Sequence, residues 1–278
     1  MPLANSAAPL AGLLAGVGTR IITHQSPTDT YERPQRLLDL TVGATGAVQH
    51  VICASEAVRE SLDRYPGSYR RKAIVVLNAL TADVVSFIDT LARPSRDDVV
   101  ERPVRLVSIG RLAEQKNFSV LFPMLAQLPE ARLQLVGDGP LREMLQSEAI
   151  SHGVSDRVEF LGHLPHLDGL RLASESDIFV QPSLFEGRSI ALLEAAALGL
   201  PLVVSDVPSQ VEAVTRKDGQ LCAELGQLHD PSSYAETIRR IVGTSGRLDQ
   251  LGRLSRSLAA EANVGSIAEE YARLISAR

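Results

Sequence analysis

The sequence predicts an α/β protein built on parallel sheets. Two observations carry this. Short runs rich in valine, isoleucine and leucine alternate with amphipathic stretches of helical period along most of the chain. Such runs are apolar throughout rather than at every second residue, as strands buried on both faces require. A third observation, the capping and turn residues at the joins, sets the element boundaries. The 278 residues suffice for two domains, and 45% hydrophobic with 22% charged residues is the balance of a soluble globular chain.

From the amino end, Pro2 to Thr19 is uncharged but interrupted by Pro9, Gly12, Gly16 and Gly18. A membrane span needs about 20 strongly apolar residues, and a signal peptide needs a basic start that this stretch lacks. It reads as a helix and connector packed within the fold. Strand-like runs follow at Arg20–Thr23, His50–Ala54 and Ala73–Leu77, and Ser55 can cap a helix over Glu56–Arg64. Three strands make a thin sheet for an independent Rossmann-like domain, so residues 1–92 read as an incomplete one. Arg93–Pro103 is charged and bounded by prolines, the composition of a linker.

Residues 104–262 form the richer half. Strands are expected at Val104–Ile109, Arg132–Val136, Val158–Leu161, Asp177–Gln181 and Pro201–Ser205. Helices are expected near Phe118–Gln127, Leu141–Ser151, His166–Ser174 and Ser189–Leu198. Asn117 is a candidate cap for the first helix, Pro140 opens the second, and Gly199 with Pro201 closes the fourth. Residues 263–278 place Ile267, Tyr271, Leu274 and Ile275 at helical spacing, so the chain closes on a packing helix.

Composition excludes several functions. The formal net charge is -5, where a dedicated nucleic-acid binder is usually basic, and tryptophan is absent. Cys53 and Cys222 are too sparse for a disulfide framework or a zinc pattern and fit a reducing compartment.

Three segments carry chemistry. Gly110 to Asn117 joins a strand to a helix, where backbone N–H groups and a helix dipole suit phosphate, and Arg111 and Lys116 add cations for a diphosphate leaving group. A basic pair in a surface loop explains the same residues equally well. Gly137-Asp138-Gly139-Pro140 is a second tight turn after a strand, without the third glycine of a dinucleotide fingerprint. The sharpest segment is Leu184 to Ala195. Glu186 lies in a loop and Glu194 about 7 Å along the following helix, so that the two can grip different polyols. Gly187, Arg188 and Ser189 offer N–H groups at the helix start. The structural alternative is a capping Glu186 and a solvated Glu194. Against it, Glu194 is flanked by Leu192, Leu193, Ala195, Ala196 and Ala197, where a carboxylate needs a partner.

SIGRLAEQKN, LQLVGDGP, VEFLGHL and SDIFVQPSLFEGRSIALLEAAALGLPLVVSDVP occur in that order. Together they resemble the donor-binding domain of a retaining glycosyltransferase of family four, with the GT-B fold: two Rossmann-like parallel-sheet domains facing a cleft. IITH, VICASEAVRESL and VVLNA resemble parts of the acceptor domain of that family, and the closing helix resembles the one that crosses back to it. Family members usually begin with a strand and a glycine-rich loop. Here Met1 leads almost at once into what resembles the middle of that domain, and Arg188-Ser189 stands where a Gly- or Phe-containing stretch is frequent.

The resemblance implies roles. Arg111 and Lys116 would hold the diphosphate of a UDP- or GDP-sugar, beside Gly110, Gly137 and Asp138. Glu194 would bind the ribose, and Gly162, His163 and Leu164 would lie beside the base. Glu186 would contact the donor sugar with the backbone of Gly187, Arg188, Ser189 and Ile190, and His24 would reach it from the other domain. Glu186, Arg111, Lys116 and His24 would thus be catalytic, with retention at the anomeric carbon and neither metal nor cofactor. The acceptor would be a glycan or lipid-linked glycan, placing the chain in the cytoplasm, with peripheral contact at the inner membrane face compatible. The alternatives are a catalytically idle nucleotide-sugar-binding or partner-binding module and, further off, a GT-B sugar-nucleotide epimerase.

Overall fold

The computed structural model describes residues 2–91, 102–262 and 264–276, so residues 93–101 of the expected linker lie outside the described residues. The described residues form two units.

The first unit holds residues 2–79, Phe185–Ser189 and 264–276. Its elements are α1 (Pro2–Leu14), β1 (Ile21–His24), α2 (Arg33–Gly43), β2 (His50–Cys53), α3 (Glu56–Glu60), α4 (Gly67–Arg70) and β3 (Ala73–Val75). The strands form one parallel sheet in the order β1-β2-β3. Ile22 registers with Val51, and Cys53 with Val75. Ile22, Val51, Val58, Leu62 and Tyr69 share one core. Ser55 caps α3, its Oγ accepting from the Val58 amide at 3.2 Å. The helix ends short of the expected Arg64. The Ser61 hydroxyl donates back to the Val58 carbonyl (2.6 Å) and accepts from the Thr28 amide (2.9 Å), which ties the chain to a neighbouring loop.

Sequence reasoning passed over α2 for a physical reason. Leu37 and Leu38 are 63% and 40% exposed while Asp39 is 1% exposed, so the pattern runs against the usual burial order. Helix α13 (Val264–Ser276) is counted with this unit. It half-buries Ile267, Tyr271 and Leu274 and leaves Ile275 exposed.

The second unit holds the described part of Leu80–Leu184 together with Ile190–Ala262. Its elements begin with α5 (Ala82–Thr90), β4 (Val104–Ile109), α6 (Leu121–Ala126), β5 (Ala131–Val136), α7 (Arg142–Ser151), β6 (Val158–Gly162) and α8 (His166–Ser174). They continue with β7 (Ile178–Gln181), α9 (Ile190–Ala197), β8 (Leu202–Ser205), α10 (Pro208–Ala213), β9 (Glu224–Gly226), α11 (Pro231–Gly243) and α12 (Arg247–Ala260). The six strands are all parallel, in the order β6-β5-β4-β7-β8-β9. This is the Rossmann order, with the direction of winding reversed between β4 and β7. Leu106 and Val107 are neighbours in β4 yet belong to different apolar layers, one against Phe122 and Ile238, the other against Leu170, Leu192 and Leu193. Alternate residues point to opposite faces, and both faces are covered, which makes the strands apolar throughout.

In the second unit the structure departs from expectation in three places. Leu80, just ahead of α5, and Ile88 within it are buried in the second layer, so this unit begins at Leu80 rather than after residue 92. Asn117 does not cap a helix. It sits at φ 51°, and its Nδ2 donates to the carbonyls of Pro182 (3.1 Å) and Leu228 (3.3 Å). The expected helix instead starts as a 3₁₀ turn, Phe118–Val120. Finally, β9 is three residues long, too short for a periodicity to register, and with α10 to α12 it completes the sheet. At the opposite sheet edge from the site, Arg102 donates two bonds of 2.7 Å to the Asp177 carboxylate, which also accepts from the Arg105 amide. Burial would push Asp177 up, but these donors hold it below the usual carboxylate range.

Candidate functional site

The carboxyl ends of β4, β5 and β6 are stitched together by their backbones. Gly110 donates to the Val136 carbonyl (2.9 Å), Leu112 to Asp138 (3.0 Å), Leu141 to Leu112 (3.0 Å) and Gly137 to Gly162 (2.7 Å). Gly137 has φ 130°, and a Cβ there would lie 2.0 Å from the Gly110 carbonyl oxygen, so no other residue permits this approach. The loops thus become one rigid floor.

Above that floor lies a cavity of about 450 Å³ whose walls include Gly110, Arg111, Gly137, Asp138, His163, Leu164 and Glu194. All seven are among the residues the sequence singled out. Lys116 lies at the margin, its side chain folded over Gly110: a Cβ on Gly110 would stand 3.3 Å from Nζ. Gly162 joins through its carbonyl. Asp138 is exposed and bonds its own loop, Oδ1 accepting from the Gly139 amide at 2.7 Å, with Arg142 3.7 Å from Oδ2.

Glu194 is 6% exposed, in the middle of α9, between the buried Leu192, Leu193, Ala195 and Ala196. Its Oε1 accepts from His166 Nε2 at 2.5 Å. Burial raises the Glu194 pKa, and the His166 contact opposes that rise. His166 lines the same cavity and was missed by sequence reasoning. The available signal was weak: a histidine opening a helix just after Gly162-His163-Leu164, with its partner 28 residues away.

The remaining candidates belong to the first unit, except Ile190, which opens α9 and is 41% exposed. Glu186 and Ser189 are 6% and 7% exposed. The Arg188 carbonyl accepts from Asn78 Nδ2 (3.0 Å), which also donates to Gln25 Oε1 (3.0 Å), and Gly187 lies flat against the Gln25 carbonyl. His24 is fully buried. Its Nδ1 pairs with the Tyr31 hydroxyl (2.9 Å) and its Nε2 with the Tyr69 hydroxyl (2.7 Å), which donates onward to Asp39 Oδ2 (3.0 Å). Burial lowers His24 from 6.5 to about 4 and raises Asp39 to about 6. Among the described residues, no three His, Cys, Asp or Glu side chains are gathered as a metal site, and no helix is long and apolar enough to cross a membrane.

A cavity at the carboxyl edge of a Rossmann-order sheet, beside the reversal in strand order, is the arrangement by which open α/β sheets bind nucleotides. The family follows from comparison: the chain belongs to the group 1 glycosyl transferases, whose family model matches residues 94–258. It is 31% identical over 159 residues to glycogen synthase of Mycobacterium tuberculosis, covering 55% of this chain and 37% of that one. It is 28% identical over 231 residues to the lipopolysaccharide core biosynthesis glycosyltransferase LpsE of Rhizobium meliloti, covering 82% of this chain and 64% of the relative. This chain therefore spans less than two thirds of either relative. Among solved structures, Anabaena HepE in complex with UDP and glucose superposes with a TM-score of 0.85 at 18% identity, over all of this chain and 76% of the other. At that identity the likeness is one of fold: the chain carries the two Rossmann-like parallel-sheet units of GT-B proteins.

Proposed function

We propose that the cavity of the second unit binds the nucleoside diphosphate of a UDP- or GDP-sugar, and that the chain serves sugar transfer to a glycan or lipid-linked acceptor. The observation that carries this reading is one cavity holding both Arg111 and the buried Glu194 at the carboxyl ends of the strands. HepE, which shares the fold, crystallises in complex with UDP and glucose, and this supports the same ligand class here.

In this reading Arg111 and Lys116 offset the charge that grows on the diphosphate as its bond to the anomeric carbon breaks. Glu194 accepts from ribose hydroxyls, the His163-Leu164 strip borders the base, and Glu186 with the backbone of Gly187 to Ile190 serves the donor sugar. The electron pair of the broken bond goes to the phosphate. The acceptor oxygen bonds the anomeric carbon on the same face, and its proton passes to a phosphate oxygen. Two cationic side chains then do the work a divalent ion does elsewhere. Lipid-linked acceptors of this kind lie at the cytoplasmic membrane face, where peripheral attachment fits. His24, which the resemblance would bring to the donor, has both ring nitrogens engaged by the Tyr31 and Tyr69 hydroxyls, and in this reading it braces its strand instead.

Calorimetry with UDP and GDP, and release of nucleoside diphosphate from their sugar conjugates, test this. Binding with turnover is expected. Binding with neither hydrolysis nor transfer marks an idle module, and no binding by any nucleotide overturns the reading. Lys116→Ala should lower transfer about ten- to a hundred-fold. An unchanged rate removes Lys116 from the mechanism.

A further inference from the structure

The contact between His166 and Glu194 has consequences for recognition. Glu194 is nearly enclosed, and a carboxylate in that position needs a partner that does not move at random. His166 is that partner. Its side chain is 56% exposed, it is the first residue of α8, and it reaches across to α9. An ionised carboxylate only accepts hydrogen bonds, so His166 Nε2 carries the hydrogen. No second side chain among the described residues bonds Glu194.

We propose that His166 is a positioning residue: by occupying Oε1 of Glu194 it fixes the carboxylate and leaves Oε2 as the acceptor for a ligand hydroxyl. This rests on the reading that the cavity takes a nucleoside diphosphate whose ribose meets Glu194. A glutamate has three side-chain torsions, and without a tether its carboxylate visits several rotamers in a cavity of this size. Binding a hydroxyl then requires selecting one of them, which lowers affinity by the fraction that is competent. The tether removes that selection. It also opposes the tendency of burial to protonate Glu194, and a protonated carboxyl has lost part of its accepting capacity. His166 therefore acts through Glu194 on both geometry and charge.

Other charged groups nearby do not duplicate this contact. Within the cavity these are Arg111, Asp138 and His163. On α8, Asp168 and Arg171 pair with each other at 2.8 Å. Helix α12, packed on α9, carries Arg247, Asp249, Arg253 and Arg256; Arg247 pairs with Glu224, and Arg256 lies against Gly199 beyond the end of α9. Strands β7 and β8 carry no titratable side chain.

The test is calorimetric titration of the full chain with UDP and with GDP, across a pH series, for the wild type, Glu194→Ala, His166→Ala, His166→Gln and the double alanine variant. His166→Ala should weaken binding about ten- to a hundred-fold, the worth of one charge-assisted hydrogen bond. The double variant should bind no more weakly than Glu194→Ala alone, within about two-fold. His166→Gln, which keeps an N–H donor, should recover most of the loss. The fall of affinity on acidification should begin at higher pH in His166→Ala, because nothing then opposes burial at Glu194. A merely structural His166 would not move that limb. If the wild type binds and Glu194→Ala does not, while His166→Ala matches the wild type in affinity and pH profile, this inference fails and the pocket reading stands. If the wild type binds neither nucleotide, both fail.

Discussion

Each unit sets a histidine against a carboxylate, and the two contacts differ in almost every other respect. In the first unit His24 Nε2 stands 3.6 Å from Asp39 Oδ1, both side chains are fully enclosed, and tyrosine hydroxyls take up both ring nitrogens. In the second, His166 is half exposed and meets Glu194 in the wall of a cavity. Enclosure decides what such a pair can do. The buried pair has no free surface for a ligand, and burial drives both groups toward their neutral forms. The half-exposed pair keeps a carboxylate oriented where solvent or a hydroxyl can reach it. The same two residue types thus form a closed network in one place and border an open cavity in the other.

The largest expected effect breaks the buried pair. His24→Ala should lower unfolding free energy by about 3–5 kcal/mol, because it opens a cavity and strands Tyr31, Tyr69 and Asp39 without their partner. Chemical denaturation measures it. A loss under about 1 kcal/mol would mean the network does not hold the unit together.

Next comes a change in pH dependence. Between about pH 4 and 6 the folded wild type holds one proton on Asp39 and none on His24, whose pKa is lowered to about 4. The unfolded chain between about pH 4 and 6 holds one on His24 and none on Asp39. The counts match, so the pair contributes little slope there. Asp39→Asn removes the folded-state proton. Stability should then fall as pH drops from about 6.5 to about 4, by a total on the order of 3 kcal/mol. Thermal melts of the variant and the wild type across that window would sharpen the comparison, and parallel curves would contradict it. The smallest effect is on the other side. His166→Ala should lower stability by about 1–2 kcal/mol, since the nearly enclosed Glu194 carboxylate then loses its side-chain partner, while ligand binding is expected to weaken as well.

Much of the second unit is legible in the residues alone. Val104–Ile109 and His166–Ser174 fall where apolar runs and helical spacing put them, because each is a contiguous pattern whose periodicity is set by its own backbone. Seven of the residues singled out meet in one cavity, six of them from loops that follow strands, for a related reason. Parallel strands bring all their following loops to one sheet edge, whatever the strand order. Helix α2 escaped notice because Leu37 and Leu38 face outward and Asp39 faces in, a reversal that the tyrosine and histidine neighbours of Asp39 make tolerable.

The sequence by itself determined the strand and helix alternation, the glycine turns and the family motifs, all of which depend on residues within a few positions of one another. Tertiary structure alone decided that His166 would meet Glu194, that Tyr69 would bridge His24 to Asp39, and that Asn117 would bind the Leu228 carbonyl rather than cap a helix. These partners lie far apart along the chain. What joins them is the order of strands in the sheets and the crossing of helices over them, which local propensity does not encode.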